Sequence, residues 1–215
     1  MPENAAGRKF RVLFVCTGNI CRSPFAQVLT RHLLDVHLGA AAQEFEVTSA
    51  GVGAVVGAPM HPASRRALEP WGLAGAAAQD FRARQLTALD LATADLVLTA
   101  TTAHRADALR IRPKSLANVF TVREFAGLVG SVDLSGLPVD PVARALALVP
   151  AARGARGMTP ALSAEDYSVP DPIRGSVADH LNSARLAAEA LQATVAALVP
   201  AGGSALAPGA GYATG

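Results

Sequence analysis

The run Cys16-Thr17-Gly18-Asn19-Ile20-Cys21-Arg22-Ser23-Pro24 sets a thiol and a guanidinium at the two ends of a short, turn-prone loop. The thiolate is the reactive form of cysteine, and cationic neighbours and a helix N-terminus favour it. A guanidinium matches two phosphate oxygens at once, where a lysine offers only a point charge. Gly18 allows positive φ, and asparagine is the next most tolerant residue for a left-handed turn. A loop of this kind rings an anion with backbone N–H groups, here those of Thr17, Gly18, Asn19, Ile20, Cys21 and Arg22. Ser23 adds a hydroxyl that can donate to the Cys16 thiolate as it leaves. The chemistry these residues suit is phosphoryl transfer through a phosphocysteine.

Such a transfer also needs an acid for the leaving oxygen and then a base for water. Two Asp-Pro pairs offer a carboxyl, Asp140 in Pro138-Val139-Asp140-Pro141 and Asp171 in Val169-Pro170-Asp171-Pro172. Either can be a helix start, with Asp as N-cap and Pro at the first helical position. Periodicity does not separate them. Asp171 has proline on both sides, which restricts its backbone.

The elements around these residues must hold them in place. Apolar runs at 10–15, 45–48, 95–100 and 119–121 read as strands. Helices are expected over 24–38, 62–71, 88–92, 102–110, 122–128 and 176–198. This βαβ alternation predicts an α/β fold, a three-layer sandwich with a central parallel four-stranded sheet. The phosphate-binding loop then follows strand 1, at the carboxyl end where such sheets bind ligands. The Ala/Gly/Pro-rich stretch 126–165 reads as an insertion, either a lid or a surface excursion. The domain is expected over 8–199, with disordered tails at 1–7 and 200–215.

The loop string, with its strand before and helix after, resembles the signature of the low-molecular-weight protein tyrosine phosphatases. About residues 10–125 and 166–199 fit that family. The resemblance implies Cys16 as nucleophile, Arg22 as oxyanion clamp and Asp171 as general acid, because the family's acid lies in an Asp-Pro just before the last long helix. Asp140 is left as a helix cap. Ser49-Ala50-Gly51 matches the family's Ser-Ala-Gly, in which the serine supports the loop asparagine, here Asn19. Three departures stand out. Phe81 replaces a histidine that braces the loop in the family. Ile173 and Arg174 stand where tyrosines often flank the substrate ring, and the opposite loop, 52–59, has no aromatic residue. The third departure is the 126–165 insertion. Ile20 tilts the substrate toward phosphotyrosine, since related enzymes acting on phosphoarginine carry threonine there.

The only two cysteines lie five positions apart in this loop, too few for an extracellular disulfide scaffold. Cys21 is a candidate redox partner that protects Cys16 by a reversible disulfide, as some members of the resembled family do. With no third cysteine, a disulfide-relay arsenate reductase is excluded. An arsenate reductase using an external small thiol, or a phosphate-binding pseudoenzyme, stands as the alternative function. Lys plus Arg is 19 against Asp plus Glu 17, a net charge of +2, too balanced to point to nucleic acid or membrane. No apolar run is long enough to span a bilayer, and residues 1–9 hold no signal-like segment. The expected localisation is cytoplasmic, and the expected partner is a phosphotyrosine-bearing protein, a bacterial tyrosine kinase among the candidates. No cofactor and no metal are expected. The five histidines, His32, His37, His61, His104 and His180, read as isolated surface or helix-end residues.

Overall fold

The computed structural model describes residues 8–158 and 163–200. Strands β1 (Phe10–Cys16), β2 (Phe45–Gly51), β3 (Leu96–Thr99) and β4 (Val119–Thr121) form one parallel sheet in the order β2-β1-β3-β4. Val12 of β1 registers with Val47 on one side and with Leu96 on the other. Every residue of β3 and β4 is buried, as expected where crossover helices cover both faces of a parallel sheet. The alternation of side chains divides the core. Phe10, Val12, Phe14, Leu96 and Leu98 join one cluster, while Leu13, Val15 and Val97 join another. The four-stranded parallel sheet expected from the sequence is present, with the loop after β1.

The helices are α1 (Arg22–Leu38), α2 (Pro62–Arg66), α3 (Ala76–Gln79), α4 (Ala88–Thr93), α5 (Thr102–Ile111), α6 (Val122–Val129), α7 (Pro141–Ala155) and α8 (Val177–Leu198). The helix expected over 62–71 is two pieces, α2 and a 3-10 turn at Glu69–Trp71. Pro70 lacks an N–H and disfavours helical geometry at the residue before it, which ends the α-helix early. The stretch 126–165 is no bare excursion, for it contributes α7. Asp140 caps this helix by accepting the Ala143 N–H at 2.8 Å. Val142, Ala145, Leu148, Val149 and Ala152 bury themselves in the main core, where α7 packs on α6 and α8. The expected tails, 1–7 and 200–215, lie outside the described residues apart from residue 200.

This topology positions the site. The chain leaves β1 for β2 on one side and β3 for β4 on the other, so the carboxyl ends of β1 and β3 flank the topological switch point. Two backbone bonds tie that point together. Ala100 N donates to Val15 O at 2.8 Å, and Val169 N donates to Ala100 O at 2.7 Å. The second bond draws the segment holding Asp171 over the end of β3.

Candidate active site

α1 begins at Arg22, two residues earlier than the sequence predicts, so the loop between β1 and α1 is only residues 17–21. Its shape is fixed from outside. The N–H groups of Val52, Gly53, Val55 and His61 donate to the carbonyls of Cys16, Thr17, Gly18 and Ile20 at 2.7–3.0 Å. With the carbonyls held outward, no protein acceptor among the described residues takes the N–H groups of residues 17 to 21. Close approach of the second segment requires a glycine. A Cβ on Gly51 would lie 2.4 Å from Thr17 O.

The left-handed residue of the loop is Asn19, φ 54°, and not Gly18, which the sequence reading also offered for that role. Asparagine bears this conformation because its side chain is fully engaged. Asn19 Nδ2 donates to Ser23 Oγ at 2.8 Å and to Ser49 Oγ at 2.9 Å, and Oδ1 accepts the Arg84 N–H at 2.9 Å. Ser49 passes its own proton to Gln27 Oε1 at 2.7 Å. Phe81, in the place of the family's histidine, is packed in the core. The bracing therefore runs through Asn19, Ser49, Gln27 and the Arg84 backbone.

Cys16 is buried at the floor, with Ser23 Oγ 3.0 Å from its Sγ. Since Ser23 already accepts from Asn19, its hydroxyl proton is free for the cysteine sulfur. Arg22 is buried and reaches three partners: Asp171 Oδ2 at 2.8 Å, Val169 O at 3.3 Å and Thr17 Oγ1 at 3.4 Å. Its Nε is buried with no partner among the described residues, an unmet donor that an oxyanion in the loop would satisfy. Asp171 is 44 % exposed, so its other face meets solvent. Cys16, Arg22, Ser23, Asn19, Ser49 and Asp171 are thus gathered at one site, and Asp140 is elsewhere, at the start of α7.

His104 is a site residue that sequence reasoning missed. Far from being an isolated surface residue, it is buried, with Nε2 2.8 Å from Thr17 Oγ1 and Nδ1 2.8 Å from Thr101 Oγ1. Burial first, and then the Arg22 charge, lower its pKa to about 4, so the ring is neutral. One assignment satisfies every partner: Thr17 accepts from Arg22 and donates to Nε2, while Nδ1–H donates to Thr101. Thr101-x-x-His104 directly after a buried strand was the available signal, since helix starts at a switch point face the ligand crevice.

His61 and His180 are not isolated either. Both sit near helix starts, as expected, but their rings stack at 4.6 Å with 8° between planes. His180 is buried and shares a hydrogen bond of 3.0 Å with Ser64 Oγ. Cys21 is buried beside them, and both cysteines are free thiols. Burial chiefly pushes Cys21 up to about 11, with the Cys16 and Asp171 charges adding to it against the pull of Ser64 and Arg22.

The family model for low molecular weight phosphotyrosine protein phosphatases matches residues 11–140. The chain is similar to a probable low molecular weight protein-tyrosine-phosphatase, EpsP, of Ralstonia nicotianae. The two are 36% identical over 113 residues, which are 53% of this chain and 70% of that protein. It is also similar to a protein-arginine-phosphatase of Geobacillus stearothermophilus, 33% identical over 135 residues, 61% of this chain and 82% of the relative. Among solved structures, a low molecular weight protein tyrosine phosphatase from T. tengcongensis aligns with a TM-score of 0.63 at 26% identity. That alignment covers 87% of this chain and 99% of the other.

Proposed function

The chain belongs to the low molecular weight phosphotyrosine protein phosphatase family, and on that premise we propose that it hydrolyses protein phosphotyrosine with Cys16, Arg22 and Asp171 as its catalytic residues. The observation that carries the assignment of roles is the convergence of Arg22 and Asp171 at 2.8 Å beside the buried Cys16. An incoming phosphate monoester takes the N–H groups of residues 17 to 22 and the guanidinium of Arg22. That exchange frees the Asp171 carboxyl for the leaving oxygen. Cys16 Sγ attacks phosphorus in line as the bond to the leaving oxygen breaks, and Asp171 gives that oxygen its proton. Water then attacks the phosphocysteine and loses a proton to Asp171. The S–P bond breaks, and the Ser23 hydroxyl holds the departing thiolate. Fixed donors aimed at the equatorial oxygens stabilise the charge that develops in both steps.

The aliphatic Val55, Val56 and Ile173 are exposed, and Val55 N is bound to Gly18 O in the loop. These residues supply apolar walls for a substrate ring in place of stacking aromatics. Ile20 in the loop favours phosphotyrosine over phosphoarginine. The partner is then a phosphotyrosine-bearing protein, with a bacterial tyrosine kinase as one candidate. Two free cysteines suit a reducing compartment such as the cytoplasm. Among the described residues no helix is long and apolar enough to cross a membrane. The catalytic unit spans 8–199 on this reading, and Cys21 is the redox partner of Cys16.

The test is metal-free hydrolysis of para-nitrophenyl phosphate by the wild type, Cys16→Ser, Asp171→Ala and Asp140→Ala, followed by a phosphotyrosine and a phosphoarginine peptide. Turnover lost in Cys16→Ser, cut in Asp171→Ala and kept in Asp140→Ala is the expected pattern. A wild type that binds vanadate without turnover overturns the reading in favour of a phosphate-binding protein. Turnover of arsenate alone, with an added small thiol, overturns it in favour of a reductase.

A further inference from the structure

We propose that Cys21, His61 and His180 form a binding site for a borderline-soft divalent cation of the zinc type, beside the phosphate loop and distinct from it. One ligand atom from each residue lies within 4.8 Å of the other two. One thiolate and two imidazoles are a donor set that zinc takes in tetrahedral sites, with water in the fourth position. Donors of such a site stand close to both the metal and one another, so these three must draw together by about an ångström from their present spacing.

The surroundings fit a metal better than they fit ordinary packing. Among the described residues, the two rings lie parallel at 4.6 Å, and no carboxylate forms a salt bridge with either. His180 keeps one ring nitrogen against Ser64 Oγ, which leaves the other for a metal. A ligating histidine is characteristically held in this way by an outer partner. His61 is half-buried and gives the cation a way in from solvent.

Two adjustments accompany binding. The Cys21 thiol loses its proton to solvent as the sulfur–metal bond forms. His61 gives up the long contact at 3.3 Å in which its Nδ1 accepts the Ala63 N–H, whichever ring nitrogen it uses. No electron is transferred. The three residues come from the loop, the start of α2 and the start of α8, so an occupied site links the phosphate loop to both helices. It also engages the only thiol available to form a disulfide with Cys16.

Cobalt(II) reports this site directly, because a bound thiolate gives a sulfur-to-cobalt charge-transfer band. The full chain carrying Cys16→Ser, which leaves Cys21 as its one thiol, is titrated with Co²⁺ and then with Zn²⁺. One equivalent of cobalt with the thiolate band, displaced by zinc, is expected. Adding Cys21→Ala abolishes the band. Adding His61→Ala or His180→Asn weakens binding by more than the roughly 10–100-fold that loss of an outer partner costs, and Ser64→Ala weakens it about 10-fold or more. Far-ultraviolet circular dichroism checks each variant. If His180→Asn does not fold, the half-buried His61 carries the test. No thiolate band in Cys16→Ser, or a band of unchanged affinity in His61→Ala, overturns the proposal. Because these readouts need no turnover, their failure is separate from failure of the phosphatase reading.

Discussion

Asp171 Oδ2 and the Arg22 guanidinium are 2.8 Å apart, so the acid and the phosphate clamp of the proposed mechanism hold each other before substrate arrives. The pair has to open for either to act. Removing the carboxylate therefore has two effects of opposite sign. Asp171→Ala should lower kcat by about 100-fold or more, the usual loss for a general acid. The same change should tighten inorganic phosphate or vanadate several-fold, because Arg22 no longer has a competing anion. Inhibition constants measured beside kcat check this. Weaker phosphate binding in Asp171→Ala would show that the carboxylate orients Arg22 instead of competing for it.

His104 gives a pH signature separate from the chemistry. Its folded pKa of about 4 lies below the ordinary 6.5, through burial and then Arg22. Between those values the unfolded chain binds the proton and the folded chain does not, so stability rises with pH through that window. The sign is the same for His180, which burial also lowers. Fully expressed, the His104 shift alone is worth about 3 kcal/mol between pH 7 and pH 4. Thermal melting of the wild type should fall steadily from pH 6.5 towards 4. His104→Asn, which keeps polar atoms near Thr17, should flatten part of that slope. An unchanged slope would mean that other groups carry the acid sensitivity.

Gly51 is the tightest backbone contact with the loop. A methyl there would meet Thr17 O at 2.4 Å, and backbone on both sides leaves little room to yield. Gly51→Ala should cost more than about 3 kcal/mol of stability, the range reached by overpacking and buried strain. Ser49→Ala leaves one Asn19 amide proton and the Gln27 carbonyl unmatched, for about 1–3 kcal/mol. Denaturant midpoints check both. Gly51→Ala should also reduce kcat, since the carbonyl it displaces shapes the anion site.

How far the sequence reveals this site depends on whether its residues adjoin in the chain or only in space. Residues 16 to 24 are contiguous, and the β1 strand and α1 helix flanking them have strong patterns, so loop and fold were both legible. Asp171 could be chosen over Asp140 only through the family resemblance, because both are Asp-Pro helix signals. Inside the loop, composition could not say which of Gly18 and Asn19 is left-handed, for that depends on the acceptors at Ser23 and Ser49. His61, His104 and His180 lie at the starts of three separate helices, and no spacing along the chain marks them as facing the loop. The start of α7 was legible in its Asp140 cap, but its extent was not, because an arginine and small alanines interrupt the larger apolar residues of its buried face and its interior holds Pro150, which blur the contrast that periodicity needs.

The 126–165 segment makes the last prediction. If it were a lid, disturbing it would change turnover. The structure instead ties it to the core through Arg144, which is buried and donates to Ala197 O at 2.8 Å, Leu134 O at 3.2 Å and Pro138 O at 3.3 Å. One guanidinium thus closes α7, the loop before it and the end of α8 into a single unit. Arg144→Met keeps much of the volume but strands these carbonyls, at a cost of about 2–5 kcal/mol. Arg156 makes a second tie, with its Nε on Glu124 at 2.9 Å and its guanidinium 4.1 Å from the centre of the Phe120 ring. Arg156→Ala should cost about 1–3 kcal/mol. Both variants should melt earlier yet keep kcat and KM for a small aryl phosphate within about two-fold at temperatures where they stay folded. A large change in kcat without a change in melting would restore the lid.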